Sequence, residues 1–417
     1  MPRALLTQLL TLLATFTLCG SVSAQVSGIE VGVPPVGGVL GDTTDRLSST
    51  IDRLDESVQR QARTLLRARE RTLGRLLRGN RDTIERDARG NLARRGELVA
   101  IDLADAERAK LQDAGFTALG SELIDGLDIR VTRLRVPDGM ELAEAEALAA
   151  RLAPQSTISP DNLHFPSGER IGASAITPVA IQSASRIGIE VGMIDGSPGA
   201  SVPVLVERGF ARGAPRPSDH GSAVASLLRG AGVTRIRVAD VYGEDPAGGN
   251  ALAIARALGW LTQSGTRVVT ISLVGPRNAL LERAVREARA RGIVIVAAVG
   301  NDGPAAPPAY PASYDGVIAV TGVDRRNRAL IEAGRALHLD YSAPGDRVYA
   351  LDARGRTKSW RGTSFATPLV AARIAAALER GANWRRIIDA EARDLGERGP
   401  DDVFGRGLLC EGCARRN

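Results

Sequence analysis

The sequence predicts a doubly wound α/β domain with a mostly parallel sheet, preceded by a small α+β region and a charged helical arm. Three observations lead there. From Arg186 to Leu409, apolar runs without polar alternation recur between helical stretches, which is how strands buried on both faces of a parallel sheet read. Glu97 to Phe165 alternates strand and helix patterns on a smaller scale. Asp45 to Arg95 is dense in charge and carries apolar residues at spacings of three and four.

The chain has 417 residues, 44% apolar and 24% charged, an ordinary globular composition with room for two or three domains. Its 46 glycines and 3% aromatic content suit an Ala/Gly/Val-rich core with tight turns. The net charge of +6 is a mild bias, 54 basic residues against 48 acidic. With no aromatic RNA-binding platform and no zinc-finger spacing, nucleic acid is not an expected partner.

Arg3, the apolar run Ala4 to Leu18 and the small residues Val22-Ser23-Ala24 read as an export signal over 1–24. The run is too short for a comfortable membrane span, so the protein is expected in the periplasm or outside the cell. Residues 25–44 form a Gly/Pro-rich linker. In 45–95, Leu47, Ile51, Leu54, Val58, Ala62 and Leu65 fall on one helical stripe, with about a dozen Arg from Arg53 to Arg95. This is a solvated amphipathic helix or helical pair; the alternative is a basic arm that docks on an anionic envelope surface.

Within 97–165, strands are expected at Glu97–Asp102, Leu127–Val136 and Ser156–Ser159, and helices at Ala104–Gly115 and Met140–Leu152. Residues 166–185 read as a linker. In 186–409, strands are expected at Ile187–Ile194, Val202–Val206, Ile236–Val241, Val268–Val274, Ile293–Val299 and Val317–Val323. Helices are expected at Ala251–Gln263 and Asn278–Arg291. The tail, 410–417, holds Cys410 and Cys413, which an oxidising compartment would join locally; with no second Cys pair they do not make a metal site.

Ligands of doubly wound sheets sit at the carboxyl ends of the strands. Asp195 ends the first apolar run, His220 stands just before the helical run Ala223–Leu228, and Ser364 opens a helix in Gly362-Thr363-Ser364-Phe365-Ala366-Thr367-Pro368. A serine hydroxyl becomes a nucleophile when an imidazole takes its proton, and the imidazole needs a carboxylate to fix its tautomer. Pro368 is expected in the helix's first turn, where a missing N–H costs little. The chain has three histidines, His164, His220 and His338, so the candidates for a general base are few. His338 reads as a satisfied structural residue in a strand, and His164 as the residue closing the small α+β region. Each motif alone is common; the order Asp, His, Ser at strand ends and helix starts of one domain is not.

These segments resemble the subtilisin-like serine peptidases, or subtilases. The serine motif matches that family unchanged. The histidine motif departs from it, with Ser222-Ala223 where the family usually shows Thr-His. The resemblance implies that Ser364 attacks a peptide carbonyl, His220 moves the proton and Asp195 orients His220. It implies that Asn301, in Val299-Gly300-Asn301-Asp302-Gly303, completes an oxyanion hole with the Ser364 N–H. It implies that Ser272, Leu273, Val274 and Gly275 form the edge along which protein or peptide substrates add as a strand; Val274 stands where the family commonly has Gly. Glu97 to Phe165 then resembles a fold-assisting prodomain that inhibits its own enzyme until self-cleavage between His164 and Ser185. Many subtilases bind calcium, but no Asp-rich loop marks a site, so no cofactor is assigned. The rival reading is an envelope-associated binding or assembly protein, in which the basic arm carries the function and the peptidase domain is a scaffold.

Overall fold

The computed structural model describes residues 41–167, 169–170, 185–381 and 383–413. The export signal, most of the 25–44 linker and most of the 166–185 linker lie outside the described residues. The chain divides into two units, Met1–Ser57 and Val58–Asn417.

The arm is a single helix, α1 (Gly41–Gly79), and it differs from expectation at both ends. It begins inside the 25–44 linker and stops at Gly79, so 80–95 is not helical. Instead β1 (Ile84–Arg86) and β2 (Leu92–Ile101) form an antiparallel pair that opens the small α+β region. Gly79 and Asn80 end the helix, and the buried side chains of Ile84 and Leu92 then fit a sheet face better than an Arg-rich helix. Leu73, Leu76 and Leu77 of α1 pack against a cluster of Ile84, Leu92, Leu163 and Ala247.

The region continues through α2 (Asp105–Asp113), β3 (Thr117–Ile124), β4 (Ile129–Arg135), α3 (Leu142–Leu152) and β5 (Thr157–Asn162). Its antiparallel sheet runs β1-β2-β4-β3, with β5 on the other edge of β2. Strand β3 had no clear sequence signal, because it is largely exposed and lacks an apolar alternation. Two short strands follow, β6 (Phe165–Pro166) and β7 (Glu169–Arg170).

The second domain builds a seven-stranded, all-parallel sheet from β8 (Val191–Asp195), β9 (Val206–Gly209), β10 (Ile236–Asp240), β11 (Val268–Ile271), β13 (Val294–Ala298), β14 (Ile318–Val323) and β15 (Tyr341–Pro344), with β12 (Leu273–Val274) outside it. The order is β15-β14-β13-β11-β8-β10-β9. Chain order reverses around β8, and β8, β11 and β14 are buried along their whole length. The predicted strand Val202–Val206 is displaced to Val206–Gly209, the segment that pairs with β10. A hairpin of β16 (Asp346–Leu351) and β17 (Thr357–Arg361), not predicted by the residue pattern, leads into the serine motif. Helices α4 (Asp219–Gly230), α5 (Ala251–Gln263), α6 (Ala279–Ala290), α7 (Thr363–Glu379) and α8 (Trp384–Glu391) cover the sheet. His338 lies in a bend, not a strand, and its Nε2 is 2.8 Å from the carbonyl of Val317. Cys410 and Cys413 form a disulfide. Among the described residues no helix is long and apolar enough to cross a membrane.

Candidate active site

Asp195 terminates β8, flanked by β10 and β11, at the point where chain order reverses. Its carboxylate is buried and accepts from the Gly196 N–H at 2.8 Å. His220 sits in the first turn of α4, whose N-cap Ser218 accepts from the Gly221 N–H at 3.0 Å. The two elements meet through glycine: a Cβ on Gly221 would fall 1.9 Å from the Gly196 carbonyl oxygen. That approach brings His220 Nδ1 to 2.9 Å from both Asp195 oxygens. Nε2 of His220 is buried and has no hydrogen-bond partner.

Ser364 is the second residue of α7, after Gly362 at φ +136°. Its hydroxyl is 2.9 Å from the Ser272 carbonyl oxygen and 2.6 Å from Ser167 Oγ, and it makes no hydrogen bond to Nε2 of His220. Pro368 lies in the second turn of the helix, not the first. Its missing N–H leaves the Ser364 carbonyl without the usual helical donor, and Ser272 Oγ donates to that carbonyl at 3.0 Å. Ser272 therefore supports the start of the helix as well as the cleft edge.

Asn301 follows β13. Its Oδ1 accepts from the Thr363 N–H at 3.0 Å, while its Nδ2 is buried without a partner. The amide is thus a buried donor left unpaired beside the N-terminal, positive end of α7.

The segment after the α+β region fills the cleft. Strand β6 pairs antiparallel with β12, Phe165 opposite Val274 and Pro166 opposite Leu273. The Ser167 N–H donates to the Ser272 carbonyl at 3.2 Å, and the Ser167 carbonyl accepts from the Ser364 N–H at 3.2 Å. His164 is fully buried, with neither ring nitrogen hydrogen bonded. Its ring rests where a Cβ on Gly275 would be, 2.5 Å from Cδ2. Its N–H donates to the Gly249 carbonyl at 2.8 Å, and its carbonyl accepts from Tyr242 Oη at 2.9 Å. Burial pushes its pKa down to about 4. His164 is thus a residue of the cleft; its place before Phe165 gave no signal of this. Helix α1 reaches the same rim, with Arg69 Nε 3.0 Å from Asp302 Oδ2 and Leu65 against Gly303.

Among the described residues no group of three or more His, Cys, Asp or Glu side chains is gathered as a metal would require.

A doubly wound sheet with an Asp–His pair beside a helix-start serine and an unpaired amide donor defines a serine hydrolase of the subtilisin architecture. The comparisons agree. A model of the subtilase family matches residues 210–407, a span that includes His220, Asn301 and Ser364 but starts after Asp195. Subtilisin Savinase of Lederbergia lenta is 32% identical over 225 residues, 50% of this chain and 82% of that protein. Subtilisin DY of Bacillus licheniformis is 38% identical over 167 residues, and the aligned stretch spans 60% of its length. The crystal structure of fervidolysin from Fervidobacterium pennivorans shares the fold, with a TM-score of 0.62 at 17% identity, over 78% of this chain and 62% of that one. The chain belongs to the subtilase family and carries a subtilisin-like serine peptidase domain.

Proposed function

We propose that this protein is an exported serine endopeptidase made as a proenzyme, and that it cuts itself after Ser167. The observation that carries the reading is the Ser167 carbonyl against the Ser364 N–H, on a segment strand-paired to the cleft edge. Strand addition orients a peptide through main-chain bonds, and the same register serves a substrate from outside.

For the reaction, Ser364 Oγ leaves the Ser272 carbonyl and gives its proton to Nε2 of His220 as it bonds to the Ser167 carbonyl carbon. Asp195 holds Nδ1–H and stabilises the imidazolium. The oxyanion takes hydrogen bonds from the Ser364 N–H and Asn301 Nδ2. His220 returns the proton to the Gly168 nitrogen as the C–N bond breaks. Water then gives a proton to His220, and its hydroxide bonds to the acyl carbon. The ester bond breaks as His220 returns that proton to Ser364 Oγ, and the new acid on Ser167 loses its remaining proton to solvent, leaving a carboxylate.

The α+β region fits the role of the intramolecular inhibitor, since it delivers the tail to the cleft and is tied to the peptidase domain by Arg94–Asp245 at 2.6 Å and Arg291–Asp128 at 2.7 Å. Export is supported by the residue pattern of 1–24 and by a relative named as an extracellular protease, that of Bacillus subtilis, 29% identical over 205 residues. Leu73, Leu76, Leu77 and Arg69 of α1 are engaged within the chain itself, which speaks against reserving this part of the arm for an envelope surface.

The test is intact mass of the exported protein beside its Ser364→Ala variant. The wild type is expected to appear as a mature chain beginning at Gly168, and the variant to retain 25–167. Self-cleavage in both, or in neither, overturns the proposal.

A further inference from the structure

We propose that Val274 closes the pocket beside the cleaved bond and confines this enzyme to peptides with Gly, Ala or Ser before the cut. The inference rests on the peptidase reading above and adds the class of substrate.

The residue that presents its carbonyl to Ser364 is Ser167, and two segments adjoin the same start of α7. One is the edge segment Ser272–Val274, which hydrogen bonds to the tail; the other is the Gly300–Asn301 turn, tied to α7 through Thr363. Gly300 is buried and has φ +89°, so this wall carries no side chain. A wall of bare backbone normally leaves room for a substrate side chain. Here the room is taken. A Cβ built on Gly300 would lie 3.4 and 3.6 Å from the two γ-methyls of Val274 and 3.8 Å from the Ala309 methyl. These are ordinary van der Waals contacts, so the methyls already fill the volume in front of Gly300. Valine is branched at Cβ and has few rotamers, so it does not swing aside as a longer side chain would.

The chain's own tail agrees independently. The residue at this position is Ser167, and its hydroxyl turns to Ser364 Oγ, 2.6 Å away, rather than reaching toward Gly300. Larger residues stand one and two places earlier, as Pro166 and Phe165, where they face β12. A side chain with more than one or two heavy atoms at the Ser167 position has to displace the Val274 methyls. A mismatch of this kind in a hydrophobic pocket is worth about 10–200-fold in kcat/KM.

Two measurements test the assignment. The first takes the processed wild-type enzyme and two peptides of the form Phe-Pro-Xaa that differ only in Xaa, Ala or Phe. The expected kcat/KM ratio favours Ala by tenfold or more, and Val274→Gly lowers that ratio at least tenfold. The second uses the full chain. Ser167→Phe slows self-cleavage after residue 167 by tenfold or more, and Val274→Gly in the same chain restores it, read by intact mass over time. Val274→Ala, a milder change, moves both readouts the same way and serves if the glycine variant does not fold. A wild type that cuts after Phe as readily as after Ala, or a Ser167→Phe chain that matures at the normal rate, overturns the assignment while leaving the peptidase intact. A wild type that stays uncleaved and hydrolyses neither peptide overturns the peptidase reading and this inference with it.

Discussion

The Ser167 carbonyl oxygen lies 3.2 Å from the Ser364 nitrogen, and their hydroxyls are 2.6 Å apart, although 197 residues separate them. No local signal joins these positions. Strand pairing with β12, the burial of His164 and the start of α7 hold them together, and the relationship gives the catalytic reading its sharpest consequences.

Removing the hydroxyl of Ser364 should remove the reaction. Ser364→Ala is expected to lower kcat by about 10⁶-fold, the magnitude known for the triad of subtilisin itself. Peptide hydrolysis by the Ser364→Ala chain, with exogenous protease excluded, checks it; activity within tenfold of the wild type removes Ser364 from the mechanism.

Asn301 has two separable tasks. Its Oδ1 supports Thr363 and its Nδ2 is unpaired. Asn301→Asp keeps the acceptor and loses the donor, so it is expected to fold while losing about 10²–10³-fold in kcat with little change in KM. Steady-state kinetics beside a thermal melt separate the two effects.

The docked tail should weaken in acid through His164. Free imidazole titrates near 6.5, while burial holds the docked ring at about 4. The docked state therefore keeps its full stability above about pH 6.5 and loses it as pH falls toward 4, because only the released tail takes up the proton. Asp161 opposes this. Burial raises its pKa to about 6, so the folded state gains stability over the same acid range as the carboxylate is neutralised. In an uncleavable Ser364→Ala chain, His164→Phe is expected to gain stability relative to its parent as pH drops from 7 to 4.5. Melting temperatures across that range that run parallel for the two chains would sink the assignment to His164.

The arm is held by its apolar seam more than by charge. The Arg69–Asp302 pair is partly exposed, and its loss in Arg69→Ala is expected to cost about 0.2–1 kcal/mol. Leu76→Ala and Leu77→Ala remove side chains packed on the Ile84–Leu92–Leu163 cluster, and roughly 1–2 kcal/mol each is expected. Urea unfolding of the uncleavable chain ranks them.

The legible part of the fold is the part that residue pattern dictates. Helix α5 has the bounds its pattern predicts, and α6 differs only by its N-cap Asn278 and last residue, because amphipathic period and cap chemistry are local. Strands β10, β13 and β14 are legible because burial along most of their length leaves mainly apolar runs without polar alternation. Strand β3 and the β16–β17 hairpin were not, since they are partly exposed and mixed in composition. The helical arm ends earlier than its charge pattern predicts because arginines in β2, such as Arg94, form ion pairs in a sheet as readily as on a helix.

By itself the sequence determined which chemistry is available: an aspartate at a strand end, a histidine and a serine at helix starts, and a parallel sheet to carry them. Those features follow from short-range pattern and from the motif that opens α7. Tertiary structure alone decided which linker residue meets Ser364, that His164 is buried against Gly275, that Ser272 satisfies the carbonyl Pro368 leaves open, and that Val274 packs before Gly300. Each of these depends on the register and packing of segments roughly 25 to 200 residues apart. Hydrophobic period encodes the face a residue presents and not the partner it meets.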